Sequence, residues 1–168
     1  MYAVDDVIVY GLHGVCRIKE IGTKNFAGNE QLYYTLVPVF DERSTFFLPV
    51  QGEVADTKLR PLLSEAEVDS LITAMPQRET LTINNDKHRK DIYRHILESG
   101  NRSEIMCLIK TLHQRQRSQL EAGKKQYTVD ERFMKEAENV IYDEFAFVLN
   151  ISRDEVLAYI KSKIEKEC

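Results

Sequence analysis

The pattern of apolar and polar positions changes character once along the chain. Residues 6–10, 14–21, 30–39 and 44–50 are rich in β-branched and aromatic side chains, the composition of strands. Turn-forming residues separate them, at 11–14, 25–29 and 41–43. Four or five short strands at this spacing close most economically into a small barrel, which leaves no exposed edge. Pro38 and Pro49 cannot donate to a ladder, which assigns them to strand ends or edges.

From Ser64 onward the period is that of a helix. Ser64, Asn101, Thr128 and Ser152 each stand three residues before a Glu, at 67, 104, 131 and 155. That is capping-box spacing, in which cap and Glu satisfy each other's orphan backbone N–H groups; the Asn101 case is a looser variant. Apolar residues then recur at helical intervals: Val68, Leu71, Ile72, Met75; Ile105, Leu108, Ile109, Leu112; Phe133, Ala137, Val140, Ile141, Val148; Val156, Ile160, Ile164. Pro76 closes the first helix. A further helix begins near Asn85, turns Ile92, Tyr93, Ile96 and Leu97 inward, and stops at Gly100. The fold class is therefore α+β. A small Tudor/SH3-like β-barrel over residues 1–55 precedes an all-α five-helix domain over 62–168, with a short linker near 51–61.

Composition bounds the class. A chain of 168 residues with 43% hydrophobic side chains can bury a core. It has no run of 18 apolar residues, so no membrane span is expected. The N-terminus has two Asp and no basic residue before its apolar stretch, unlike a secretory signal. Cys16, Cys107 and Cys168 are odd in number and scattered, which fits a reducing, cytoplasmic setting.

The net charge of −4 argues against a nucleic-acid partner until it is divided by segment. Residues 78–125 carry eleven basic against six acidic side chains, a block of +5 inside an otherwise acidic chain. Within it Lys87, Lys90 and Arg94 fall at i, i+3 and i+7 on one helical face, with Arg89 beside them and Arg115, Arg117, Lys124 and Lys125 further on. Such a face attracts a phosphate backbone. A basic helical face also occurs simply as the solvated side of a helix.

Catalytic and metal chemistry is sparse. There is no CxxC pair, and His13, His88, His95 and His113 have no zinc-site spacing. Phosphate-loop, dinucleotide and nucleophile-elbow motifs are absent. Cys16 with His13 could form a nucleophile and base, but a Cys in an apolar strand is more often a small core residue. The expectation is a non-enzyme with no cofactor and no metal.

Residues 6–18, DVIVYGLHGVCRI, resemble the opening of CarD/CdnL-type bacterial transcription regulators. The likeness continues through Tyr33 or Tyr34, the FLPV strand at 47–50, and the helical segments 97–100, 109–112, 123–125 and 130–137, all four of which resemble the versions in Firmicutes-type relatives. The opening motif is shared with transcription-repair coupling factors; the helical half resembles the stand-alone regulators.

The resemblance implies a cytoplasmic, monomeric adaptor. Its barrel would bind the lobe of the RNA polymerase β subunit. Its helical domain would meet promoter DNA at the upstream edge of the melted region, through backbone and minor groove without reading a defined sequence. Together they would stabilise the open complex, including at ribosomal RNA promoters. Polymerase contact could use strand addition at residues 32–37 or 45–48. The implied polymerase contacts are Lys24, Leu32, Tyr34, Phe46 and Phe47. A basic position of the family falls on Phe46 or Phe47; adjacent strand residues face opposite sides, so one is read as core and the other as surface. Many relatives carry a tryptophan wedge where this chain has residues 80–85 and no Trp anywhere. Leu81 or Ile83 would take its place, or would simply pack the start of the helix. Lys87, Arg89, Lys90, Arg94, Lys124 and Lys125 complete the implied DNA contacts. Two other readings remain: a polymerase-binding module with little DNA contact, and an RNA-binding barrel, which four basic residues in the first fifty support poorly.

Overall fold

The computed structural model describes residues 1–83 and 86–167, which fall into two compact units, Met1–Leu63 and the chain from Ser64 onward. The α+β class holds: an antiparallel five-stranded sheet is followed by five helices.

In the first unit, β1 (Val7–Tyr10), β2 (Gly14–Phe26), β3 (Asn29–Pro38), β4 (Phe46–Pro49) and β5 (Leu59–Pro61) form one sheet in the order β4-β3-β2-β1-β5. The edge strands β4 and β5 do not pair with each other. A short helix absent from the sequence reading, α1 (Glu53–Lys58), packs against both. Residues 51–61, read as a linker, are thus part of this unit: β5 pairs with β1 from Leu59 to Pro61.

The inner face collects Ile8, Cys16, Ile18, Tyr34, Leu36 and Leu48, with Ala55 and Leu59 beneath. Each fully buried large side chain of this kind stabilises by roughly 1.5–3 kcal/mol relative to exposure. Strict alternation along β2 would turn Ile21 outward. A bulge between Ile18 and Glu20 prevents this by inserting Lys19, so that Ile21 pairs with Tyr34 and packs on the core.

The β2–β3 hairpin is tighter than the predicted turn over 25–29. Only Ala27 and Gly28 lie between the strands, at φ 53° and 85°. Two positive values in a two-residue loop are what the right-handed twist of a hairpin requires, and Gly meets that without strain where Ala does not.

The second unit contains α2 (Glu65–Ala74), α3 (Arg89–Ser99), α4 (Arg102–Glu121), α5 (Thr128–Leu149) and α6 (Arg153–Glu167). The Ser64–Glu67 capping box forms reciprocally, and Asn101 accepts from the Glu104 N–H. Ser152 Oγ reaches the Glu155 carboxylate at 3.1 Å at the start of α6. Thr128 departs from its predicted role: it is already helical, and Tyr127 stands at the N-cap without a side-chain hydrogen bond. The predicted start of α3, Asn85, lies outside the described residues; a 3-10 turn at Asp86–His88 leads into the helix. Gly100, left-handed at φ 69°, ends it as the glycine stop predicts. Ile92, read as inward, is exposed, while Tyr93, Ile96 and Leu97 are buried. Asn150, also left-handed, ends α5 and turns the chain into α6.

No described helix is long and apolar enough to cross a membrane.

Strain at Ala27 makes a direct prediction. Ala27→Asn should stabilise the protein by about 0.5–1 kcal/mol, since Asn tolerates left-handed backbone far better, and Ala27→Val should destabilise it. Urea unfolding followed by circular dichroism reads both; equal midpoints would contradict the turn geometry.

Candidate functional site

On the outer face of the first unit, the register sets Lys24 opposite Gln31, Gly22 opposite Tyr33, and Thr35 opposite Phe47. With no side chain on Gly22, the Tyr33 ring meets Phe26 edge-on at 4.9 Å, and Phe26 meets Phe47 at 5.4 Å. Lys24 Nζ lies 5.4 Å from the Phe47 ring centroid and 3.4 Å from Glu20. Phe47 remains 45% exposed on the edge strand β4, whereas the candidate Leu32, 38% exposed, has the opposite pleat phase and does not share this face.

Phe46 and Phe47 divide as strand alternation requires. Phe46 packs partly on the core and meets Tyr10 and His13 rings at 5.7 and 4.2 Å, whereas Phe47 faces out. Tyr34 corrects the candidate set: it is 2% exposed, and its hydroxyl accepts from the Tyr2 backbone N–H at 3.2 Å. Its side chain belongs to the core rather than to a docking surface. The two candidate edges also separate. Residues 33–36 of β3 are paired on both sides, leaving β4 as the free edge. Phe26, 42% exposed, joins the surface although the sequence reading passed it over, because it ended the second strand at residue 21; Tyr33, whose ring meets it, is itself buried at 8% exposure.

Cys16 is fully buried, and burial pushes its thiol up to about 12, so at neutral pH it is no thiolate nucleophile. Burial, with help from Lys58, lowers His13. Among the described residues no three His, Cys, Asp or Glu side chains could hold a metal ion.

In the helical unit a buried carboxylate organises the basic block. Asp130 on α5, 1% exposed, accepts from the Tyr93 hydroxyl of α3 at 3.0 Å and from Arg115 Nε of α4 at 3.0 Å, with Arg89 Nη1 of α3 at 3.9 Å. Burial, then the Asp130 charge and hydrogen bond, pushes the Tyr93 hydroxyl well above its ordinary value. Glu144 is also buried and takes both its oxygens to Arg102, at 3.0 and 2.9 Å. Lys110 donates to the backbone carbonyls of Met75 and Arg78 at 3.1 and 2.7 Å.

Arg89 is therefore a second correction. At 7% exposure and beside Asp130, it is a structural cation rather than a phosphate contact. Among the described residues, Arg89, Arg102, Lys110 and Arg115 of this block serve internal partners. Arg78, Lys87, Lys90, Arg94, Arg117, Lys124 and Lys125 are exposed. Lys90 and Arg94 share a face of α3 at i, i+4.

Leu81 and Ile83 are half-buried and line a groove with Lys124 and Tyr127. Leu81 is held there: its N–H donates to Thr111 Oγ1 at 2.9 Å, and Cys107 Sγ reaches the Glu79 carbonyl at 2.9 Å. Of the region compared with the tryptophan wedge, Asn84 and Asn85 lie outside the described residues.

A small sheet with β4 at one edge and an aromatic outer face is the kind of module that docks on another protein. Residues 2–61 match the family model of the CarD-like/TRCF RID domain, so the first unit carries a CarD-like RNA polymerase-interacting domain. The match covers the sheet through β5. A search of the curated proteins finds no match to the chain.

Removing the Asp130 charge should cost more than removing any one of its partners. Asp130→Asn is expected to destabilise by about 3–5 kcal/mol, because it leaves buried cations uncompensated. Tyr93→Phe should cost about 1 kcal/mol. Urea unfolding at neutral pH measures both; equal losses would contradict the organising role of Asp130.

Proposed function

We propose that this protein is a transcription regulator that docks on the lobe of the RNA polymerase β subunit through β4 and the outer surface of Lys24, Phe26 and Phe47. The exposed cations of its helical unit, Lys87, Lys90, Arg94, Lys124 and Lys125, then engage promoter DNA near the upstream edge of the melted region. The outcome is a longer-lived open complex, including at ribosomal RNA promoters. The observation that carries the reading is the free edge strand β4, with Phe47 exposed beside it, inside a CarD-like RNA polymerase-interacting domain. Strand addition at such an edge gives affinity through main-chain hydrogen bonds, and the flanking aromatics give specificity. The chain's net charge of −4 makes weak DNA affinity for the protein alone the natural consequence. Docking on polymerase supplies the local concentration that charge does not.

The internal use of four basic residues supports a second reading, a polymerase-binding module with little DNA contact. The two readings differ in one measurement on the full chain. Under the first, Lys90→Glu with Arg94→Glu lowers affinity for a promoter bubble and reduces the salt slope by up to about 2. Under the second, neither changes.

For the polymerase arm, Phe47→Ala in the full chain should weaken binding to immobilised RNA polymerase by about tenfold, the effect of losing one interface anchor. Its unfolding midpoint should stay near that of the unsubstituted protein, since Phe47 is largely exposed. Undiminished binding by Phe47→Ala would contradict this surface as the docking site.

A further inference from the structure

An open groove of about 520 Å³ lies in the helical unit, lined by Leu81 and Ile83, by Ser118 and Gln119 of α4, and by Lys124 and Tyr127. Tyr127 is 52% exposed. The Arg89 guanidinium stands 5.2 Å from its ring centroid, and Arg89 is itself buried beside Asp130. A fixed cation that also lines the groove thus lies against the ring, which stays half exposed there. The Gln119 carboxamide oxygen is buried without a hydrogen-bond partner among the described residues, an acceptor that a ligand's N–H can satisfy. Lys124 is exposed at the groove and makes no ion pair among the described residues.

These features select for one ligand chemistry. A purely apolar molecule would leave Gln119 and Lys124 unanswered. A bare anion would have no use for Tyr127, Leu81 and Ile83. A nucleotide answers all of them: a flat base to stack, an N–H to donate and a phosphate for the lysine. In a duplex the faces of a base are covered by its neighbours, so the nucleotide must come from an unpaired strand.

We propose that this groove takes one unpaired nucleotide of the melted promoter strand, its base stacked on Tyr127 and its phosphate against Lys124. The inference rests on the reading of the helical unit as a promoter-DNA module and specifies which form of DNA it holds. The geometry makes Tyr127 a stacking platform: Arg89, which lines the same groove, is fixed beside the ring by Asp130, and the ring stays half exposed for a base to cover.

The test is fluorescence anisotropy of the full chain with a labelled single-stranded oligonucleotide, the blunt duplex of the same sequence, and a nucleoside monophosphate as competitor. The single strand should bind more tightly than the duplex. Tyr127→Ala should weaken single-strand binding about five- to a hundredfold and leave duplex binding unchanged, while Tyr127→Phe should retain it. A circular dichroism melt checks that each variant is folded. Single-strand affinity unaffected by Tyr127→Ala, or equal affinity for both forms, would overturn the proposal. Competition by the mononucleotide that depends on Tyr127 would support the groove's chemistry but overturn its assignment to a DNA strand. If duplex binding depends on Lys90 and Arg94 while Tyr127 has no effect, only this inference falls. If no form of DNA binds, the promoter-DNA reading falls with it.

Discussion

Asp130 is almost wholly removed from water, yet three groups from two other helices converge on it: the Tyr93 hydroxyl, Arg115 and Arg89. A carboxylate in such a place is tolerable only because it is paired and hydrogen-bonded, and its partners are held as firmly as it is. The consequence reaches the surface. By drawing Arg89 and Arg115 inward, Asp130 decides which cations remain outside, and it fixes the guanidinium that lies against Tyr127. Glu144 does the same for Arg102, and the carbonyls of Met75 and Arg78 do it for Lys110. The exposed positive face of the helical unit is what remains after these internal demands are met.

The sheet unit obeys a different constraint, the pleat. One bulge at Lys19 keeps Ile21 on the core side, and from there alternation puts Lys24 and Phe26 on the same outer face as Tyr33 and Phe47. Without the extra residue, Lys24 and Phe26 would turn toward the core. The same pleat that buries Tyr34 and Leu48 therefore assembles the surface read as a docking site. Each unit makes its candidate surface from the residues its own core leaves over, aromatic on the sheet and cationic on the helices.

Most of the fold is legible in the sequence because periodicity and caps are local. The Ser64–Glu67 box, the Asn101 cap and the Gly100 stop stand where the pattern puts them. The departures come from long-range packing. Residues 51–61 have linker-like composition, and only pairing with β1 makes β5 of their last three residues. Arg89 is indistinguishable from Lys90 as a charge on a helix, and its burial follows from a carboxylate forty-one residues away. Tyr34 sits in a strand that looked like an edge until β4 covered it. The candidate surface was legible in part: strand alternation separates Phe46 from Phe47, but Phe26 and Tyr127 sit at turns, where periodicity stops being informative.

If one chain carries both a polymerase-docking sheet and a DNA-engaging helical unit, their joint effect is kinetic: holding polymerase and the melted promoter together slows collapse of the open complex. The direct measurement is the lifetime of a preformed polymerase–promoter open complex after challenge with a competitor, with and without the full chain at saturating concentration. The account predicts a longer lifetime when the protein is present. A lifetime unchanged by protein that is demonstrably bound to the polymerase would contradict it.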